Sequence, residues 1–140
     1  MIIELETSDD WLQAFNCIKY LRPGLCLNEM LENRQSLLER DFHLIGFIDA
    51  GDIIGVASYI IQPHLSRNNE FWIHDLVVKP EFRKKGISKK LLDYLALQAR
   101  KEKCSRMVVH TRDEKNLTNA YYQAKLGFIS YATVLTKELN

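Results

Sequence analysis

The chain predicts an α/β domain with a mixed (α+β) sheet, and three observations carry that prediction. Three β-branched and aromatic runs lie close together between residues 42 and 79, joined by short polar turns. Helical stripes flank this block at residues 11–40 and 87–103. Beyond the second stripe the pattern returns to strand, helix and strand. The order is β-α-α-β-β-β-α-β-α-β. With no repeat, low-complexity tract or linker, the 140 residues read as one domain over 1–140.

Each element has a local reason. Residues 2–6 form a short apolar strand. Ser8, Asp9 and Asp10 offer caps for a helix carrying Trp11, Leu12, Phe15 and Ile18. Arg22-Pro23-Gly24 breaks it, and a second helix runs over about 27–40 with Met30, Leu31, Leu37 and Leu38 as its apolar contacts. Residues 42–49 and 53–62 form a hairpin around Ala50-Gly51-Asp52, and 70–79 a third β-rich strand after a polar turn. Ile87, Leu91, Leu92, Leu95, Ala96 and Ala99 recur at helical spacing. A strand at 106–111, a helix at 115–125 and a final strand at 128–137 complete the order.

Composition narrows the function. Hydrophobic residues at 46% and charged residues at 26% are those of a soluble globular protein. The net charge of +1 conceals 19 basic and 18 acidic side chains, so a local basic cluster fits a small anionic ligand and no nucleic acid is expected as partner. Cys17, Cys26 and Cys104 are odd in number and lack C-x-x-C spacing, and no histidine pair has ligand spacing, so reduced thiols and no metal are expected. No signal peptide and no apolar run of membrane-span length is visible, and the expected setting is cytoplasmic, with no membrane partner.

The segment Arg83-Lys84-Lys85-Gly86-Ile87-Ser88 is the most informative. It joins a strand to a helix through a glycine turn, which leaves backbone N–H groups unpaired at the positive end of the helix dipole. Arg83, Lys84, Lys85, Lys89 and Lys90 crowd that turn. A phosphate-bearing head is the expected ligand. Neither G-x-x-x-x-G-K-[ST] nor G-x-G-x-x-G is present, which argues against a P-loop or a dinucleotide fold.

That turn resembles the pyrophosphate loop of the GNAT superfamily of acyl-CoA-dependent N-acetyltransferases, [RQ]-x-x-G-x-[GA], with Ser88 where the family prefers Gly or Ala. The strand Trp72 to Pro80 leading into it, and Asn116-x-x-x-Ala120-Tyr121-Tyr122 ending in Leu126-Gly127-Phe128, resemble two further motifs of that family in the right order. The resemblance covers about residues 70–130 and is looser before it. It implies the GNAT fold with a splayed central strand pair, and acetyl-CoA as co-substrate. The backbone of Leu76, Val77 and Val78 would pair with the pantetheine arm, a form of strand addition. Arg83, Lys84, Lys85, Gly86, Ile87, Ser88 and Lys89 would bind the phosphates, with glycine allowing close approach. Asn116 would touch the pantetheine arm or cap its own helix.

The implied reaction moves an acetyl group to a primary amine of a small molecule or peptide by direct attack. The family's acid is a tyrosine after the fifth strand, which makes Tyr122 both the catalytic acid and a cofactor contact. Helical spacing groups Leu117, Ala120, Tyr121 and Ala124 as the core stripe and turns Tyr122 about 100° away. The family's tyrosine stands four residues before the glycine of Gly127-Phe128, where this chain has Gln123, so Tyr122 requires one extra residue at the helix end. His74 stands where some relatives carry a glutamate and is the candidate base, with Glu70 and water as alternatives. Strand alternation puts Trp72, His74 and Leu76 on one face and Asp75 on the other. His110 would flank the same cleft, and Cys104 would be core. The acceptor surface would be built from about residues 21–40 and 64–69, where Glu29, Glu32 and Glu39 either favour a cation or simply face solvent. A homodimer is possible. A non-catalytic acyl-CoA-binding sensor is the alternative.

Overall fold

The computed structural model describes residues 1–66, 68–110, 121–123 and 125–140. Residues Met1–His110 form one unit and Thr111–Asn140 a second. In the first, β1 (Ile2–Glu4), α1 (Ser8–Ile18) and α2 (Leu27–Glu39) precede β2 (His43–Asp49), β3 (Asp52–Gln62) and β4 (Glu70–Val78). A 3-10 turn (Pro80–Phe82), α3 (Ile87–Lys101) and β5 (Arg106–Val109) follow. The five strands form one mixed sheet in chain order, antiparallel from β1 to β4 and parallel between β4 and β5.

Local chemistry explains the boundaries. The cap of α1 is Thr7, one residue before the expected Ser8. Its side chain accepts from the Asp10 N–H, while the Asp10 carboxylate accepts from the Thr7 N–H, a capping box. Trp11, Ala14, Cys17 and Ile18 are buried along one stripe, and Leu12, expected among them, lies outside it. The β2–β3 hairpin turns on Ala50 and Gly51 at φ 51° and 85°, as a two-residue primed turn requires.

The sheet is covered on both faces. The α1 side packs Trp11, Ile18 and Met30 over Leu44, Val56 and Val77. On the other face α3 lies so close that a Cβ on Gly55 would stand 3.2 Å from Ile87 Cγ2 and 3.3 Å from Leu91 Cδ1. Gly55 therefore sets how near α3 approaches the sheet.

In the second unit, residues 121–123 and 125–126 are helical. The expected final strand over 128–137 is not formed. That stretch has no regular secondary structure, and Ile129, Val134 and Leu135 are exposed. Its alternating pattern suits a strand, but β-propensity is realised only by pairing, and the sheet of the described residues ends at β5.

Candidate functional site

The geometry centres on β4. Its pairing with β5 covers only Glu70–Ile73 against Arg106–Val109, while β4 runs on to Val78. From His74 to Val78 that edge has no strand partner among the described residues. Leu76 and Val78 lie opposite Ala57 and Gly55, on the α3 side, and Val77 is buried in the core under α1. The expected splay would open at this point, and the residues that follow β5, 111–120, lie outside the described residues.

The chain then turns through Pro80–Phe82 into α3. Arg83 Nε donates to the Val78 carbonyl at 2.9 Å, which ties the guanidinium back to the end of β4. Lys84 takes φ 63° and Gly86 φ 80°, two left-handed residues in three. A Cβ on Gly86 would meet nothing of the described residues within 4 Å, and its backbone angle is what demands glycine. The first helical bond of α3 is Lys90 N–H to the Gly86 carbonyl at 3.1 Å. The N–H groups of Ile87, Ser88 and Lys89 therefore precede the intrahelical ladder, Gly86 offers no side-chain cap, and no acid stands in the first turn. An uncapped helix start among basic side chains is an anion site.

The basic residues are not equivalent. Lys89 pairs with Asp93 at 2.9 Å, Lys85 lies over the Phe82 ring, and Lys90 lies over Phe47. The Ile87 side chain is buried against Gly55, which leaves only its backbone for a ligand. Ser88 is half-buried. These residues have the donors, the charge and the space that a phosphate group needs.

His74 sits on a β-bulge. Ser58 pairs with Asp75 and Tyr59 with Ile73, so His74 is the extra residue of β4. The bulge overturns the expected alternation. His74 and Asp75 line the same cavity of about 520 Å³, while Leu76 falls on the opposite face. The cavity lies between α1, α2 and the sheet, walled by Trp11, Met30, Leu37, Phe42, Leu44 and Ile60. The His74 ring stacks near Phe42, with centroids 6.3 Å apart. Burial holds the imidazole below its ordinary value, which the Asp75 charge opposes and His110 and Arg22 reinforce.

Asp75 has its own partners: Arg22 Nε at 2.5 Å and Ser58 Oγ at 2.5 Å. Arg22 comes from the break between α1 and α2, so this contact holds that loop over the cavity. The sequence marks Arg22-Pro23-Gly24 as a helix break but not this role, because the bulge that turns Asp75 inward leaves no periodic signal. Glu70 is unsuited to act as a base. It is buried and accepts from Arg106 Nε and from Trp72 Nε1 at 3.2 Å; burial pushes its carboxyl up, but these bonds outweigh burial and hold it low. Glu29, Glu32 and Glu39 are exposed and outside the cavity lining, and Cys104 is half-buried ahead of β5. His110 stands edge-on to Trp72, centroids 5.1 Å apart.

In the second unit the burial of the tyrosine pair is the reverse of the wheel: Tyr121 is 42% exposed and Tyr122 9%. Burial pushes the Tyr122 hydroxyl up to about 12. Gly127 at φ 75° closes the helix, and the Phe128 N–H reaches back to the Tyr122 carbonyl at 3.1 Å. That closure spans one residue more than a Schellman turn. Asn116, Leu117 and Ala120 lie outside the described residues.

A strand running on past its described β5 pairing into an uncapped, basic helix start fits the architecture of acyl-CoA-dependent acyltransferases. A family model described as the acetyltransferase (GNAT) family matches residues 8–128, and the chain belongs to that family. A glucosamine 6-phosphate N-acetyltransferase of Trypanosoma brucei brucei is 33% identical over 91 residues, 64% of this chain and 59% of that protein. The chain thus spans 59% of the length of this curated relative. Among solved structures, a Trypanosoma brucei acetyltransferase superposes with TM-score 0.80 at 23% identity, covering 99% of both chains. AAC(6')-Iy in complex with a CoA-S-monomethyl-acetylneamine bisubstrate analogue superposes with TM-score 0.86 at 21% identity, covering 100% of this chain and 97% of that one. At these identities the structural likenesses speak for the fold.

Proposed function

We propose that this chain is an N-acetyltransferase that uses acetyl-CoA to acetylate a primary amine of a small molecule. The observation that carries the proposal is that β4, which among the described residues has no partner on one edge beyond Ile73, leads through one short turn into the uncapped start of α3. Structural neighbours in complex with CoA or a CoA-bearing bisubstrate analogue, and a relative named for a small amino sugar, support the reading. When bound, acetyl-CoA supplies an acetyl group activated as a thioester.

The chain's own residues do the rest. The N–H groups of Ile87, Ser88 and Lys89 hold the phosphates, and Lys84 and Lys85 add charge. The β4 backbone at Leu76, Val77 and Val78 aligns the pantetheine arm, and an N–H of that edge polarises the carbonyl. An alkylammonium with a pKa of about 10.4 must lose a proton before it attacks. His74, held neutral by burial and facing the cavity, takes it directly or through water. Tyr122 keeps its proton at neutral pH and gives it up only to a base made comparably strong, as a thiolate away from water is.

Calorimetric titration with acetyl-CoA, with CoA and ATP as controls, tests the reading. Saturable binding of acetyl-CoA without comparable ATP binding is expected. Tyr122→Phe should then lower turnover far more than acetyl-CoA affinity. A sensor would bind acetyl-CoA equally and release no thiol with any amine.

A further inference from the structure

The cavity beside His74 also carries chemical information about what enters it. Its wall is aliphatic and aromatic, with Trp11, Met30, Leu37, Phe42, Leu44 and Ile60 from four separate elements and the loop before β2. Its polar lining is Arg22, Asn33, Arg40, His74 and Asp75. Asp75 is the one carboxylate lining the cavity among the described residues, and its two oxygens already accept from Arg22 and Ser58 at 2.5 Å each. Arg40, at the end of α2, has no ion-pair partner among the described residues.

That lining disfavours two acceptor classes. A polyamine or aminoglycoside brings several ammonium groups, and each would meet two guanidiniums and a carboxylate that is already bonded. The acidic residues of α2 do not help, since Glu29, Glu32 and Glu39 are exposed and outside the lining. An amino sugar brings several hydroxyls, and most would be buried against carbon with no partner. The lining matches a molecule with an apolar body for the wall and an anionic group for a free guanidinium. A guanidinium prefers a planar, bidentate acceptor such as a carboxylate.

We infer that this cavity takes a primary amine with one apolar body and one anionic group, the chemistry of a free aliphatic or aromatic amino acid. The apolar body lies against Trp11, Phe42 and Leu44, the anion meets Arg40, and the amine faces His74. The inference rests on the acetyl-transfer reading of the same site and narrows its acceptor.

The test is thiol release from acetyl-CoA with L-phenylalanine, phenylethylamine, spermidine, neamine and glucosamine 6-phosphate, alongside direct calorimetric binding of L-phenylalanine to the full chain. The expected result is a kcat/KM for phenylalanine at least tenfold above those of spermidine, neamine and glucosamine 6-phosphate. Arg40→Gln should lower kcat/KM for phenylalanine, mainly through KM, at least tenfold more than for phenylethylamine. Equal or faster turnover of the polycations or the amino sugar would overturn the inference. So would an Arg40→Gln loss that is the same for both phenyl compounds, or acetyl-CoA binding with no turnover of phenylalanine. Should acetyl-CoA itself fail to bind, the parent reading falls. The phenylalanine titration still decides the cavity: saturable binding weakened tenfold by Arg40→Gln supports its assignment, and no binding overturns it.

Discussion

Removing Arg22 should cost more stability than neutralising the carboxylate it contacts. The Asp75 side chain is 9% exposed and that of Arg22 is 48% exposed, so the pair is solvated at one end only. Asp75→Asn keeps the side-chain shape and leaves an amide oxygen for Ser58 Oγ, so the chief loss is an attraction to a half-solvated guanidinium. Such a pair contributes about 0.2–1 kcal/mol. Arg22→Ala instead strands a buried carboxylate on the Ser58 hydroxyl alone. A fully buried pair broken this way costs about 3–5 kcal/mol, and discounting for the exposed partner brings the expectation to about 2–3 kcal/mol. The double variant removes the stranded charge, so it should be more stable than Arg22→Ala by about 1–2 kcal/mol. Urea unfolding of the three variants, with equal m-values, would measure this, and melting points should separate by about 3–4 °C per kcal/mol. Strict additivity, or a larger loss from Asp75→Asn, would refute the account of the contact.

Three further outcomes are expected. Gly55→Ala places a Cβ 3.2 Å from Ile87 and 3.3 Å from Leu91, and should destabilise by about 1–2 kcal/mol in urea unfolding as α3 is pushed off the sheet. Gly86→Ala meets no atom of the described residues but forces alanine to φ 80°, so acetyl-CoA affinity by calorimetry should fall several-fold while the melting point falls by about 3–8 °C. The two histidines should act oppositely with pH. Burial holds His74 below 6.5, so its contribution to stability is full above 6.5 and lost on acidification, and the acid limb of kcat/KM should lie below 6.5. The Glu4 carboxylate bonded to His43 raises that imidazole, so its stabilisation is present below 6.5 and lost as pH rises through the raised value; His43→Gln should lower the melting point at pH 5.5 more than at pH 8.5.

The parts of the fold written in local chemistry were legible. The hairpin at Ala50-Gly51, the apolar stripe of α3 and the glycine at the phosphate turn each depend on residues within a few positions of one another. What depended on register was not. A bulge that turns Asp75 to the side of His74 follows from the pairing of two strands, and neither strand's alternation encodes it. The reversed burial of Tyr121 and Tyr122 has a related cause, because a helical wheel assigns a face by counting apolar neighbours and a tyrosine can serve on either side. The final strand failed for the opposite reason. Its alternation was clear, yet alternation does not supply a partner.

These features converge on one strand, and the convergence explains why β4 departs from ideal geometry twice. A regular strand paired along both edges would be more completely hydrogen-bonded, but it would have no free backbone for a ligand and would point successive side chains to opposite faces. Among the described residues the β5 pairing ends at Ile73, which leaves the edge of residues 74–78 free to pair with an extended arm. Placing the bulge at His74, the first residue beyond that pairing, directs His74 and Asp75 together into the cavity that the proposed function gives to the amine. The two irregularities fall at the same residue, so the open edge and the cavity meet where an acyl group would have to pass between them. Moving the bulge one residue earlier, to Ile73, would keep the sheet yet pair His74 with Tyr59 and turn it toward α3, out of reach of the cavity. A variant that deletes His74 should therefore restore a regular β3–β4 ladder, fold with unchanged secondary structure by circular dichroism, and lose turnover by more than the His74→Gln side-chain change alone. Equal losses in the two variants would mean that the bulge serves the strand and not the chemistry.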